Sequence, residues 1–309
     1  MRTSKIISAE EAVGRIPSGA VVATEGFVGN GFPEFLALAL ERRYLSTGAP
    51  SALTLVYAAG QGDGKEKGLN HFGHPGMIRR IIGGHWGLAP ALGKLAMDNQ
   101  IEAYNLPQGC VSHLFRAIAG GRPGHITHVG LKTFVDPRNG GGKMNARTTE
   151  DIVEIVSLGG KEYLWYKSFP LDVALLRGTT ADADGNVSLE KEALYLENLA
   201  MAQAVHNSGG IVMCQVERLA ECGSIPAREV KIPGMLVDCV VLSPEEHHWQ
   251  TFATRYNPAY SGEVKIPVAS IQTMEMSERK LISRRASLEL RSGARSEERR
   301  VGKECRSRW

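Results

Sequence analysis

The stretch GFVGNGFPE (26–34) joins an apolar run to a helical pattern that begins at Pro33. It contains Gly26, Gly29 and Gly31. Glycine adopts positive φ easily and lets a ligand come close to backbone N–H groups, and the start of a helix adds partial positive charge. The stretch could therefore hold a carboxylate, a thioester oxygen or a phosphate, although a plain tight turn would have the same glycine spacing. Its G-x-x-G-x-G pattern differs from the dinucleotide fingerprint G-x-G-x-x-G.

Two further segments follow apolar runs in the same way. The glycine-rich turn AAGQGDG (58–64) ends the run TLVYAAG, and Gln108 with Gly109 follows IEAYNLP (101–107). A glutamine amide donates hydrogen bonds without being ionised, which suits a pocket for a developing oxyanion. A capping or surface glutamine would occur at the same spacing.

Patterns typical of metal sites are incomplete. ADADGN (181–186) begins like a calcium loop, but its twelfth position is Ala193 instead of glutamate. GGGKMN (140–145) has Met144 where a phosphate loop needs serine or threonine. Histidines occur in pairs at i, i+3 spacing: His71, His74, His125 and His128. With no Cys or carboxylate to complete a ligand set, we expect loop and surface histidines, no metal and no cofactor.

The elements that must position these residues alternate along the chain. Strand-like runs such as AVVATEGF (20–27) and VALLRG (173–178) alternate with helical stretches such as PEFLALALERR (33–43). This order predicts an α/β fold: an open, largely parallel sheet with helices on both faces. In such sheets ligands bind beyond the carboxyl ends of the strands, where the glycine-rich segments lie.

Composition excludes several classes of protein. Of the 309 residues 43% are hydrophobic, which is ample for a core. The last fifteen residues carry six basic and three acidic side chains, so they supply the whole formal net charge of +3, and no nucleic-acid footprint is indicated. The five cysteines form no C-x-x-C pair, as expected in a reducing compartment: Cys110, Cys214, Cys222, Cys239 and Cys305. No signal peptide or membrane span is predicted, so we expect a cytoplasmic protein.

Several long motifs resemble family I CoA-transferases of the single-chain acetate and propionate type. They are EGFVGNGFPE, GGHWGLAPALGKLAMDNQIEAYNLPQG (83–109), TFVDPRNGGGKMN (133–145), RGTTADADGN (177–186) and AQAVHNSGGIVMCQVE (202–217). The resemblance runs from about residue 6 to 294. It implies the N-terminal domain of such an enzyme, with the second domain missing, and transfer of CoA between a short-chain acyl-CoA and a short-chain carboxylate, with CoA as a substrate. A homo-oligomer is expected for the full-length form, with no nucleic-acid or membrane partner.

The resemblance also implies site residues. A glutamate of the second half attacks the thioester, and the resulting anhydride is converted by the CoA thiolate into a glutamyl-CoA thioester. Gln108 of the PQG motif takes the oxyanion role. Residues expected to bind substrate or CoA are Gly26, Phe27, Gly29, Asn30, Gly31, Gly60, Gly62 and Gly109. The E-x-G context of the nucleophile is not found; Glu25 in T-E-G is one residue short of it, and we interpret it as a decoy.

The resemblance divides the chain into three parts. Residues 1–271 match the N-terminal domain, and 272–294 match a connecting helix and the start of a second domain. The final RSEERRVGKECRSRW (295–309) has no apolar stripe, resembles a translated adapter oligonucleotide, and is interpreted as non-native. Two alternatives stay open: a CoA- and acyl-binding subunit whose partner carries the nucleophile, and a sugar-phosphate isomerase or ligand sensor on a related sheet.

Because residues 295–309 offer no apolar face to bury, they should contribute nothing to the core. Deleting them should leave the melting temperature unchanged or raise it, as measured by differential scanning calorimetry. A loss of stability above about 1 kcal/mol would contradict this interpretation, since surface changes usually stay within roughly half that value.

Overall fold

Apolar runs of the sequence form the strands of a parallel sheet in the computed structural model, which describes residues 4–293. The chain divides into two compact units, Met1–Glu263 and Val264–Trp309. The strands of the first unit are β1 (Val21–Thr24), β2 (Leu53–Tyr57), β3 (Ile78–Gly83), β4 (Glu102–Asn105), β5 (Gly124–Thr127), β6 (Val153–Leu158), β7 (Lys161–Lys167), β8 (Val173–Arg177), β9 (Thr180–Asp182), β10 (Val187–Ser188), β11 (Ile211–Val216), β12 (Arg218–Ala220), β13 (Val230–Ile232) and β14 (Cys239–Leu242).

The helices alternate with the strands of the main sheet. Those of the first unit are α1 (Ala9–Gly14), α2 (Glu34–Thr47), α3 (Pro90–Met97), α4 (Gln108–Ala119) and α5 (Asn198–Asn207). The helix predicted at 33–43 is α2, and Pro33 is its N-cap rather than its first residue. The main sheet has seven strands in the order β14-β11-β8-β1-β2-β3-β4, and every neighbouring pair is parallel.

Each strand of this sheet buries side chains on both faces. In β1, Val22 belongs to one apolar cluster and Ala23 to the other; in β8, Leu175 and Leu176 divide in the same way. Consecutive strand residues point to opposite faces, so each cluster fills one side of the sheet. The cluster with Val22 contains residues of α1, α2 and α3, and the cluster with Ala23 contains residues of α4 and α5. The predicted α/β fold with helices on both faces is confirmed.

Two small sheets complete the first unit. One has the order β12-β9-β10-β13, and the other is antiparallel with the order β5-β7-β6, a β6–β7 hairpin with β5 on its other side. The sequence did not predict this antiparallel sheet. Its strands β6 and β7 include exposed positions at their hairpin, so they lack the continuous apolar run that marks a buried strand.

The described part of the second unit contains the helix α6 (Glu278–Ser287). The sequence predicted a helix over 278–292; the structure ends it at Ser287, where the Leu288 N–H bonds the carbonyl of Arg285 in the short i→i−3 form that closes helix ends. Leu281 and Ile282 are 57% and 69% exposed. The predicted tail, 295–309, lies outside the described residues. None of the helices within 4–293 is long and apolar enough to cross a bilayer.

Candidate functional site

The glycine-rich loops and Gln108 meet at one edge of the main sheet. Because all seven strands are parallel, their C-terminal ends lie along one side of the sheet, here called the carboxyl edge. The segments that follow β1, β2 and β4 all leave the sheet there. These segments are the 26–34 loop, the 58–64 loop and the start of α4 at Gln108. The structure thus brings together the predicted site residues, whose roles stay predictions.

The two glycine-rich loops are joined by backbone hydrogen bonds. The Val28 N–H donates to the carbonyl of Gly60 (2.7 Å), and the Gly62 N–H donates to the carbonyl of Val28 (2.9 Å). Val28 therefore pairs with the second loop as a short parallel bridge to Gln61. Gln61 is itself tied to the end of β1, because its amide exchanges two hydrogen bonds with Thr24. The loops form one connected backbone surface.

Several glycines of this surface are required by contacts within the protein. A Cβ on Gly29 would lie 2.4 Å from the ring of Phe252, and one on Gly31 would lie 2.7 Å from Leu196. A Cβ on Gly62 would lie 2.2 Å from a backbone oxygen, that of Leu88. The sequence predicted that these glycines open space for a ligand. The structure shows that at these three positions the space is occupied by other residues of the chain.

The first amides of α2 are also occupied. The side-chain Oε1 of Gln215, at the end of β11, accepts hydrogen bonds from the N–H groups of Phe35 (2.9 Å) and Leu36 (3.2 Å). Gln215 thus caps a helix whose N-cap, Pro33, makes no side-chain cap. The sequence predicted that this helix start could hold an anion. That part of the prediction is wrong, because the amides are bonded before any ligand arrives.

Gln108 differs from these groups, which are already bonded or packed within the protein, because its side chain is exposed. It is the first residue of α4, next to the exposed Gly109. A Cβ on Gly84 would lie 2.0 Å from the Ala58 carbonyl oxygen and 3.0 Å from the Gln108 Cα. Ala58 and Gln108 are therefore close to each other across Gly84. Gln108 therefore borders the second glycine-rich loop, where its amide can meet a bound molecule.

A buried charged cluster lies at the same edge, beside β8. Arg177, the last residue of β8, is 3% exposed. Its guanidinium Nε donates to Glu192 Oε1 (3.0 Å), and its Nη1 and Nη2 donate to the carbonyls of Trp249 (2.7 Å) and His248 (3.3 Å). Its backbone N–H donates to Glu25 Oε1 (2.5 Å). Arg177 thus connects the end of β1 to segments that follow β10 and β14.

The pKa values of Glu25 and Glu192 are shifted in opposite directions although both carboxyls contact Arg177. Burial raises the pKa of Glu25 well above its usual value, and the neighbouring Glu192 charge raises it further. The hydrogen bond from the Arg177 backbone N–H lowers the pKa, but burial outweighs it. Burial also opposes ionisation of Glu192, but Arg177 and His248 outweigh it and lower the pKa of that carboxyl. Glu25 is 1% exposed, and its Oε2 has no hydrogen-bond partner among residues 4–293. An enclosed carboxyl cannot reach a thioester outside the protein, so the burial of Glu25 agrees with its interpretation as a decoy.

A cavity of about 300 Å³ lies against this cluster. Its lining residues are Arg177, Lys191, Glu192, Glu217, Glu245, His248, Gln250, Arg255 and Tyr256. The cations of the lining are each paired with a glutamate: Arg177 with Glu192, Lys191 with Glu217, and Arg255 with Glu245. The cavity therefore presents no unpaired positive charge for an anionic ligand.

The histidines at 71 and 74 were predicted to be loop and surface groups without a carboxylate nearby. The structure corrects this. Helix α2 places Glu34 and Glu41 against His71, at 3.0 Å from Nε2 and 2.5 Å from Nδ1, and Glu41 also contacts His74 Nε2 (2.6 Å). No local pattern reveals these carboxylates, because they precede the histidines by thirty residues or more. Within residues 4–293, however, no group of three or more potential ligands is arranged to hold a metal ion.

Sequence reasoning missed Arg177, Gln215 and Phe252. The first two carry a recognisable signal, because each is a polar residue within or ending a buried apolar strand, and such residues are normally buried only with partners. Phe252 carries no such signal, since it lies in an irregular segment.

Comparison with known proteins gives a consistent result. A family profile described as Coenzyme A transferase matches residues 6–243. The chain is 45% identical over 291 residues to the caffeate CoA-transferase of Acetobacterium woodii, covering 94% of this chain and 56% of that one. It is 40% identical to the acetate CoA-transferase YdiF of Escherichia coli K12, covering 94% of this chain and 54% of that one.

A solved structure agrees with these matches. The acyl-CoA transferase YdiF of E. coli O157:H7, in a thioester complex with CoA, superposes with a TM-score of 0.87 and 38% identity, covering 93% of this chain and 55% of that one. The chain thus spans about half the length of each of these relatives.

The opposite pKa shifts of Glu25 and Glu192 predict effects of different size for two isosteric substitutions. Glu25→Gln should change the free energy of unfolding by less than about 1 kcal/mol at pH 5, because an amide mimics the neutral acid. A carboxyl whose pKa is raised by folding loses stability as the pH rises from its unfolded value of about 4.3, so Glu25→Gln should become relatively more stable toward pH 8. Urea unfolding at both pH values measures this.

The matched control is Glu192→Gln, which should cost about 3–5 kcal/mol because it leaves the buried Arg177 charge without its partner. Equal losses for the two substitutions would contradict the assignment of a neutral Glu25.

His71 predicts a second pH dependence. Burial lowers the pKa of His71, but the hydrogen bonds and charges of Glu34 and Glu41 outweigh it, and the pKa is raised. Its stabilisation is complete below the unfolded value of about 6.5 and is lost as the pH rises through the raised pKa. His71→Gln should therefore cost roughly 1.5–3 kcal/mol at pH 6 and less at pH 9, by urea unfolding. The exposed His128→Gln is the control, and a cost for His71→Gln that grows with pH would refute the charge pairing.

Proposed function

This chain belongs to the coenzyme A transferase family, and we propose that it forms the N-terminal part of an enzyme that exchanges CoA between short-chain acyl-CoA and short-chain carboxylates. The observation that carries the proposal is the position of Gln108. It places an exposed, uncharged amide donor at the carboxyl edge, beside the glycine-rich loops. The names of the relatives, an acetate and a caffeate CoA-transferase, support this class of substrate.

In the proposed reaction, a glutamate carboxylate attacks the thioester carbonyl and expels the CoA thiolate, which leaves an acyl-glutamyl anhydride. The thiolate then attacks the glutamyl carbonyl, releasing the first acid and forming a glutamyl-CoA thioester. A second carboxylate attacks that thioester and expels the thiolate, which gives a second acyl-glutamyl anhydride. The thiolate then attacks the new acyl carbonyl and releases the glutamate carboxylate, leaving the new acyl-CoA. Covalent exchange of this kind divides one difficult step into easier ones. The YdiF thioester complex with CoA is consistent with such a route.

Gln108 would act in the steps that develop negative charge on a carbonyl oxygen. Each attack passes through a tetrahedral intermediate, whose oxygen carries the charge. A positioned amide N–H stabilises that oxygen without changing its own protonation state. Phe27, Asn30, Gly60 and Gly109 would border the acyl and pantetheine groups. Gly26, Gly29, Gly31 and Gly62, which meet other residues of the chain, would shape the loops that carry them.

The attacking glutamate is proposed to come from outside this chain. Glu25 is the carboxyl that most resembles the family context, and it is enclosed and bonded to the Arg177 N–H. The chain covers about half of its relatives, which leaves room in those proteins for a second half with the nucleophile.

The test is to join the chain after Ala294 to the remaining part of E. coli YdiF and to assay acetate-dependent CoA transfer from propionyl-CoA. We expect turnover by the fusion and none by the 309-residue chain, because a ping-pong exchange needs its nucleophile. Gln108→Ala in the fusion should slow turnover by about 10²-fold, as for loss of one oxyanion donor.

The matched control is Gln100→Ala, which removes an exposed glutamine that precedes β4, at the opposite end of that strand from Gln108; its turnover should match the unmodified fusion. Robust turnover by the 309-residue chain would refute the proposal that the nucleophile lies outside this chain, and Glu25 would become the first candidate nucleophile. Equal rates for the two glutamine variants would refute the role of Gln108.

A further inference from the structure

Val28 has a backbone conformation that its side chain opposes. Its φ is +60°, in the left-handed region, where a β-branched residue is a genuine outlier. The described residues other than glycine with positive φ are Val28, Ala52, Asn99, Lys132 and Leu196. Val28 is the β-branched member of this set. Backbone strain of this kind persists only where surrounding structure imposes it, and it clusters at functional sites.

Two backbone hydrogen bonds between the glycine-rich loops impose the conformation of Val28. Its N–H donates to the carbonyl of Gly60, and its carbonyl accepts from the N–H of Gly62. Glycine at position 28 would make the same bonds without strain. The neighbouring Gly29 and Gly31 are explained by contacts with Phe252 and Leu196. Position 28 is the place in this loop where glycine would suit the backbone and valine is found, so the isopropyl group itself must be what the position requires.

That isopropyl group does not serve the core. Val28 is partly buried, yet among the described residues it belongs neither to the two buried apolar clusters nor to the partly buried apolar residues that pack against them. Leu196, the other large apolar residue with positive φ, behaves differently, because its side chain covers Gly31. Val28 therefore lies outside both apolar clusters, with part of its surface exposed on the joined loops.

The position of this surface relates Val28 to Gln108. The Val28 N–H donates to the carbonyl of Gly60, two residues after Ala58. A Cβ on Gly84 would contact both the Ala58 carbonyl oxygen and the Gln108 Cα, so Ala58 lies close to Gln108. Val28 and Gln108 are thus both next to the 58–60 stretch of the second glycine-rich loop. One offers an amide donor and the other an apolar surface that cannot hydrogen-bond. A thioester needs this combination, a donor for its oxygen and an apolar contact for its alkyl chain.

We propose that Val28 is a specificity-determining residue whose isopropyl group limits the length of the aliphatic acyl chain held beside Gln108. The inference rests on the proposed function and deepens it. Each methylene that an apolar pocket admits or excludes changes discrimination by about 10–200-fold. Two hydrogen bonds fix the Val28 backbone, and a β-branched side chain has few χ1 rotamers, so a longer substrate would meet the isopropyl group. A role of this kind would explain why a strained valine occupies a position where glycine would fold more easily.

The test uses the fusion described above, with propionyl-CoA as donor and acetate, butyrate or hexanoate as acceptor. Val28→Gly should raise the ratio of kcat/KM for hexanoate over acetate by at least about 10-fold. Val28→Ile should lower the ratio for butyrate over acetate. Ala52→Gly is the matched control, because Ala52 also has positive φ but lies before β2, at the opposite end of that strand from the loops; its ratios should equal those of the unmodified fusion.

Thermal unfolding of the 309-residue chain separates specificity from folding. Val28→Gly should melt no earlier than the unmodified chain, since glycine accepts the observed φ. An earlier melting would show that the side chain packs in the fold, and it would overturn the proposal. An active fusion whose chain-length ratios are unchanged in Val28→Gly would overturn it while leaving the proposed function standing. An inactive unmodified fusion would overturn the proposed function, and this inference with it.

Discussion

A guanidinium removed from water must find acceptors for its N–H groups, and the carboxyl edge of this sheet is built around one that does. Arg177 ends β8 in the interior, where an unpaired charge would be very costly. Glu192 and the carbonyls of Trp249 and His248 satisfy it, while its backbone N–H bonds Glu25. Because these acceptors come from distant parts of the chain, satisfying this charge also fixes how the surrounding segments close over the edge.

The glycine-rich loops depend on the closure of those segments. The residues that follow His248 bring Phe252 against Gly29, and the segment after Glu192 brings Leu196 against Gly31. Each contact is too close for any side chain on the glycine, so the loop is held from two sides. A loop fixed in this way can keep the strained Val28 backbone, because the strain is opposed by contacts that would all have to break together.

Polar groups at this edge are of two kinds. Glu25 and Gln215 are enclosed, and their hydrogen bonds hold strands and helices together. Gln108 is exposed and lies where the second loop and α4 meet. Chemistry on a bound molecule requires a group of the second kind. The division explains why the chain carries a donor suited to an oxyanion but holds its most suggestive carboxyl out of reach.

The sequence by itself determined the fold class and the edge at which the candidate site lies. Apolar runs such as VALLRG predict buried parallel strands because such strands need apolar residues on both faces, and parallel strands bring their loops to one edge whatever the packing. The grouping of Gln108 with the 26–34 loop follows from this topology. Long motifs identified the family for the same reason: they are local in sequence.

Only the tertiary structure decided which groups are available and which are consumed. Gln215 reaches α2 across about 180 residues, and His71 meets Glu41 across 30, so no local pattern shows that an amide is capped or a histidine is paired. The same holds for Phe252 on Gly29 and for the positive φ of Val28, which arises from bonds to another loop. Burial and hydrogen bonding are properties of neighbours in space, and neighbours in space are set by folding of the whole unit.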